Sequence, residues 1–152
     1  MKLSLWNLMR PNSKTVSRNS IFLDTLTSIN PDIIILTETN SIINSGNQYN
    51  AISTTPLPEL YQNIQYLPGE NRVTIYSKYP ILKQIPTADS YSSVCAEIAT
   101  PYGPLIIYGT IIGSLGGMVE PFKSDLEKQT ADLMKISKLG NICFCGDLNI
   151  SF

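Results

Sequence analysis

Two periods of apolar spacing alternate along this chain, and the changes of period mark its elements. Residues 2–8 read as a first strand, and residues 17–29 as an amphipathic helix with Ile21, Phe22, Leu26 and Ile29 on one face at spacings of one, four and three. Asn30-Pro31 ends that helix. Residues 32–37 then carry Ile33-Ile34-Ile35-Leu36, an apolar run without alternation, which predicts a strand buried on both faces with Glu38 at its carboxyl end. From 41 to 69 the chain is rich in Asn, Pro, Ser and Tyr with little periodicity, which predicts loop with one short strand near 49–53.

The pattern next turns antiparallel. Residues 72–77 and 81–85 flank Lys78-Tyr79-Pro80, and 93–100 face 105–111 across Pro101-Tyr102-Gly103-Pro104, so two successive hairpins are expected. Residues 113–117 read as a flexible loop. Residues 120–138 place Phe122, Leu126, Leu133, Met134 and Ile136 in a helical pattern that ends before Gly140. A final apolar run over 141–149 delivers Gly146-Asp147-Leu148-Asn149 at its carboxyl end. Strand side chains alternate between faces, so Asp147 and Asn149 project together, while Gly146 lets a ligand or a neighbouring backbone come close. No internal repeat interrupts this order, which predicts an α/β (α+β) chain with helices packed on a mixed sheet.

At 152 residues, 43% hydrophobic and 15% charged, the chain has the means to build one core. A net charge of −1 argues against strongly basic, nonspecific nucleic-acid binding and leaves room for a local phosphate site. No run approaches the roughly eighteen apolar residues of a membrane span, and no signal-peptide cleavage pattern follows Met1, so the expected location is cytoplasmic. Cys143 and Cys145 lie two apart, a spacing of neither a zinc knuckle nor a redox pair, and Cys95 stands alone; all three read as reduced core thiols. Histidine is absent, which excludes imidazole chemistry by this chain alone.

Asn7, Glu38, Asp147 and Asn149 each fall at the carboxyl end of an expected strand, where ligands gather in open sheets. Oxygens of Asp, Glu and Asn without Cys or His suit Mg2+ or Mn2+ better than zinc. Taken singly, Asn7 is as well explained as a turn former and Glu38 as a solvated strand end. Together they make a convergent set.

Four segments in order carry a family resemblance: Leu5-Trp6-Asn7, residues 31–38 ending in Leu36-Thr37-Glu38, residues 71–81 beginning Asn71-Arg72-Val73, and Gly146-Asp147-Leu148-Asn149. With these the chain resembles the endonuclease/exonuclease/phosphatase superfamily, the deoxyribonuclease-like hydrolases, over essentially all its length. The resemblance implies a four-layer α/β/β/α sandwich, incomplete at its carboxyl-terminal end, with residues 1–152 forming one partial domain, about the first two thirds of a usual family domain. It implies Glu38 as metal ligand assisted by Asn7, Asp147 as the residue that orients or deprotonates the attacking water, and Asn149 beside the scissile phosphate. Thr110 falls where many members place a phosphate-contacting Tyr or His; its hydroxyl can donate one hydrogen bond, or it is simply a β-branched strand residue. Arg72 opens a strand in a family-like segment and is expected to face the phosphate, although a solvated strand end explains it equally.

Two departures qualify the resemblance. Members are similar in having a late Asp-His pair, and this chain contains no histidine. The segment that would complete the second sheet is also missing, so apolar surface and unpaired edges are expected, together with a second copy or a complementing chain to cover them. The leading expectation is the amino-terminal portion of a Mg2+-dependent phosphodiesterase or phosphatase. A catalytically silent phosphate-, nucleic-acid- or protein-binding derivative and a self-sufficient histidine-free nuclease stay open, as does the choice among DNA, RNA, phospholipid headgroup and small phosphodiester.

Overall fold

A computed structural model describes residues 1–113 and 120–149 of the chain. Elements run in the order β1 (Leu3–Asn7), α1 (Val16–Ile29), β2 (Ile33–Asn40), β3 (Asn50–Ser53), β4 (Leu60–Tyr61), β5 (Ile64–Gln65), β6 (Glu70–Ser77), β7 (Ile81–Ile85), β8 (Ser93–Thr100), β9 (Gly103–Ile111), α2 (Glu120–Ile136) and β10 (Ile142–Asp147). One sheet has the order β1-β2-β6-β3 and a second the order β10-β9-β8-β7. Each contains one parallel pair, β1 with β2 and β10 with β9, and antiparallel pairs elsewhere.

The uninterrupted apolar run of β2 explains how the layers stack. Ile33 and Ile35 join Val73 and Ile75 of β6 against Val94, Ile98, Ile107 and Ile111 of the second sheet, a core shut between the two. Ile34 and Leu36 point the other way, onto Phe22 and Leu26 of α1. On the outer face of the second sheet, Cys95, Ile106 and Tyr108 pack with Ile136 of α2. The chain is thus a four-layer α/β/β/α sandwich. At Gly109 the sheets approach so closely that an added Cβ would lie 2.9 Å from Cγ1 of Val73.

Several expectations need correction. Residues flanking Lys78-Tyr79-Pro80 do not form a hairpin: β6 pairs with β2 and β3, whereas β7 pairs with β8, so the chain changes sheets at that point. The β8–β9 hairpin forms as expected, Thr100 facing Gly103. A two-stranded ribbon, β4–β5, occupies the region expected to be loop; Gln62 and Asn63 at its tip take φ of 51° and 62°. Helix α1 ends at Asn30, whose αL backbone lets its N–H donate to the Leu26 carbonyl. Ile21 and Ile29 of α1, and Leu126 and Met134 of α2, are exposed rather than core. The inward face of α2 is instead partly polar, with Asp125, Gln129 and Asp132 buried at spacings of four and three. The expected loop over 113–117 lies outside the described residues from position 114 onward. Among the described residues no helix is long and apolar enough to cross a membrane.

Candidate active site

Strands β1 and β10 are edge strands of opposite sheets, and their carboxyl ends meet. Nδ2 of Asn7 donates to Oδ2 of Asp147 at 2.7 Å, joining the two sheets through side chains. The Asn7 carbonyl oxygen accepts from the Met9 N–H at 2.8 Å, which fixes the amide's orientation. Asn149 caps the same corner: its N–H donates to Oδ1 of Asp147 at 3.1 Å, and its Nδ2 donates to the carbonyls of Ile112 at 3.0 Å and Gly113 at 2.7 Å. Each Asp147 oxygen therefore has one fixed donor and keeps lone pairs for a water or cation.

Gly146 makes this corner possible. Its φ is +152°, and any Cβ there would collide with the Thr110 carbonyl, so only glycine lets the end of β10 close against β9. The resulting cleft, about 340 Å³, is lined by Trp6, Asn7, Thr37, Gly146 and Asp147. Within it Oγ1 of Thr37 is buried and has no hydrogen-bond partner.

Glu38 follows Thr37 but opens into a neighbouring cavity of about 240 Å³, shared with Arg10, Thr39, Glu70, Asn71 and Arg72. Its φ of 47° breaks the regular strand twist, and its carbonyl accepts from the Arg10 N–H at 2.9 Å. Met9, Arg10 and Asn149 share this left-handed conformation at 54°, 55° and 47°. Such backbone costs about 1–3 kcal/mol per non-glycine residue and concentrates at functional sites. Arg10 is held by Glu70 in a fork, Nη2 to Oε2 at 2.8 Å and Nε to Oε1 at 3.3 Å, over the Tyr66 ring at 4.5 Å. That carboxylate contact raises the Arg10 pKa further above its usual value, so Arg10 stays charged.

Asn7, Asp147 and Asn149 are thus brought together as expected, whereas Glu38 and Arg72 line the other cavity. Arg72 is only 3% exposed; Nη2 donates to Oε1 of Gln62 at 2.7 Å, its guanidinium lies 5.0 Å from the Tyr61 ring centroid, and Nη1 has no partner. The placement of Thr110 is a correction. Its side chain leaves the outer face of β9, is fully buried, and its hydroxyl lies 2.7 Å from Oε1 of Gln129 and 3.2 Å from the Ser92 carbonyl. The residue that β9 turns toward the cavity is the next one, Ile111, which has no polar group to offer. Sequence reasoning also missed Thr37, for which neither period nor spacing gave a signal. Among the described residues, no group of three or more His, Cys, Asp or Glu side chains converges to hold a metal.

Comparison with known proteins agrees with this fold. The Endonuclease/Exonuclease/phosphatase family model matches residues 5–151, and the chain belongs to that family. No curated protein matches the sequence. Among solved structures, TDP2 of D. rerio complexed with single strand DNA product aligns with a TM-score of 0.74 at 14% identity, covering 100% of this chain and 62% of that one. An AP endonuclease from Archaeoglobus fulgidus gives 0.66 at 17% identity, with 99% and 58% covered. The endonuclease domain of TRAS1, a telomere-specific non-LTR retrotransposon, gives 0.69 at 14%, with 97% and 59% covered. At such identities the likeness establishes the fold. The chain spans less than two thirds of each of these structures.

Proposed function

We propose that this chain carries part of a divalent-metal-dependent phosphoester hydrolase, with Asp147 as the residue that positions the attacking water. The observation that carries the reading is the Asn7–Asp147–Asn149 corner, where a carboxylate is held by two amide donors, Asn149 takes a left-handed backbone, and the buried Thr37 hydroxyl has no hydrogen-bond partner.

Glu38 is proposed as the metal ligand, with Asn7 assisting. A lone carboxylate fits Mg2+ or Mn2+, which keeps several waters and takes remaining oxygens from substrate phosphate, and it does not fit a cage built wholly by protein. When bound, such an ion neutralises charge on phosphoryl oxygens. The protein groups do the rest: Asp147 accepts a proton from or orients water, Asn149 braces Asp147 and the end of β9, and Arg72 contributes a buried positive charge. Thr110 has no part in this reading. Coverage of less than two thirds of related structures, and the absence of histidine, support the reading that full activity draws on a further Asp-His pair.

Metal binding tests the proposal independently of turnover. Titration of Mn2+ into the chain, followed by electron paramagnetic resonance, is expected to show one saturable site that Glu38→Gln weakens about tenfold or more. Equal binding by the variant would remove Glu38 from the metal site and the reading with it.

A further inference from the structure

Just beyond β9 the chain passes through a peptide group that is held from both sides. From α2, Asp125, only 2% exposed, accepts the Gly113 N–H on Oδ2 at 3.2 Å. The carbonyl of that same peptide belongs to Ile112 and accepts from Nδ2 of Asn149 at 3.0 Å. A peptide is planar, with its N–H and C=O pointing opposite ways, so one cannot turn without the other. Hydrogen bonds on its two ends also polarise one another where water is excluded. Asn149 gives its remaining amide hydrogen to the Gly113 carbonyl at 2.7 Å, which fixes the side chain, while its backbone N–H donates to Oδ1 of Asp147 at 3.1 Å.

Packing alone asks for an apolar residue at position 125. Phe122, three residues earlier on the same face of α2, already closes on Gly113, whose φ is +54° and where an added Cβ would lie 3.1 Å from Cβ of Phe122. An apolar side chain after it would fill the buried place without desolvating a carboxylate. Burial pushes the Asp125 carboxyl up, opposed by the Gly113 N–H and by the charge of Arg72. What the carboxylate adds is an acceptor that sets the plane of the peptide holding Asn149. We infer that Asp125 is a positioning residue for the hydrolytic site, acting on Asp147 through the Ile112–Gly113 peptide and Asn149. The inference rests on the hydrolase reading, in which Asp147 must hold its water to within about 0.5 Å of the productive place. Gln129, four residues on, braces the strand end in the same manner: Nε2 donates to the Ile111 carbonyl at 3.5 Å and Oε1 accepts from the Thr110 hydroxyl at 2.7 Å.

The test is hydrogen exchange followed by NMR on the isotope-labelled chain, read at the Gly113 and Asn149 N–H groups and at the Asn149 carboxamide. Asp125→Leu should shift the Asn149 carboxamide resonances and speed exchange at both residues on the order of tenfold. Asp125→Asn keeps an oxygen that accepts from Gly113 and should return resonances and exchange to within about twofold of wild type. Tyr108→Phe removes a different bond between β9 and α2 and should leave Asn149 unmoved, which separates positioning from a general loosening of the helix. Should Asp125→Leu fail to fold, Asp125→Ser, too short to reach Gly113, carries the same comparison. An Asn149 signature unmoved by losing the Asp125 acceptor, no rescue by Asp125→Asn, or an equal response to Tyr108→Phe would overturn the inference. Mn2+ binding separates the two claims: an unmoved Asn149 with Glu38-dependent Mn2+ binding intact sinks the positioning role alone, whereas absent Mn2+ binding sinks the hydrolase reading and with it the reaction that Asp125 would serve.

Discussion

Asn7 presents an amide hydrogen, not a second carboxylate, to Asp147 at 2.7 Å, and the difference is measurable. Asn7→Asp keeps the shape and sets two carboxylates in contact, which disfavours ionisation of both. Its Tm is expected to fall clearly at pH 7 and to recover near pH 4, where one proton relieves the repulsion; a loss equal at both pH values would mean that the amide acts through packing. Gly146→Ala faces a harder obstacle, since the Thr110 carbonyl occupies the space of the new methyl group. It should destabilise the chain by about 2 kcal/mol or more in urea unfolding, and wild-type stability would show that β10 does not close against β9. Asp147 was legible as the polar end of β10, but Asn149 lies beyond that strand with a left-handed φ of 47° and meets Asp147 through its backbone N–H, not as a same-face strand neighbour. For Thr110 the plain strand-residue alternative holds: adjacent strand residues point to opposite faces, and one step in register exchanges Thr110 for Ile111 at the cavity.

Helix α2 shows what hydrophobic period cannot report. Its pattern of Phe122, Leu126, Leu133, Met134 and Ile136 predicted the helix, yet Leu126 and Met134 are exposed and Asp125, Gln129 and Asp132 fill much of the buried face. Oδ2 of Asp132 accepts from the Tyr108 hydroxyl at 3.0 Å and from the Ala88 N–H at 2.7 Å, while Gln129 accepts from Thr110. Polar residues on a core face become visible only once their partners on β9 are known. Tyr108→Phe should cost about 1–2 kcal/mol in urea unfolding, because Asp132 loses a donor in a site closed to water; unchanged stability would mean the bond is compensated elsewhere. The β4–β5 ribbon escaped notice because strands of two residues carry no period. The β6–β7 hairpin was expected from a tight Lys78-Tyr79-Pro80 turn, but the same turn serves as well to send a strand to the opposite sheet.

Across the whole molecule apolar spacing predicted only helices on a mixed sheet, and the four-layer sandwich followed from the family resemblance; β2, apolar on both faces, is the element that demands a layer on each side. Its edges follow from the same order: β1 and β10 pair on one side only and carry half-exposed apolar residues such as Leu5, at 46%. We propose that a second copy covers this edge; light scattering should then show concentration-dependent association that Leu5→Lys reduces, and a monomer at every concentration would refute it and leave a different complementing chain as the partner to seek. Burial also sets the response to alkali. The Cys95 thiol is pushed up from 9.0 to about 12 by burial, with Asp132 adding to the shift. Cys145 reaches about 12 through burial and its neighbour Cys143. Burial raises Tyr76 and Tyr108 in the same direction. Each of these acids holds its proton more tightly folded than unfolded. The stability linked to them is therefore complete below the unfolded value near 9 and drains away as pH rises toward 12. Tm measured in steps of pH is expected to be level to about 8.5 and to fall steadily above 9. A level Tm through pH 11 would mean that these thiols and phenols meet solvent in the folded chain, and the closed outer core between α2 and β9 would then be wrong.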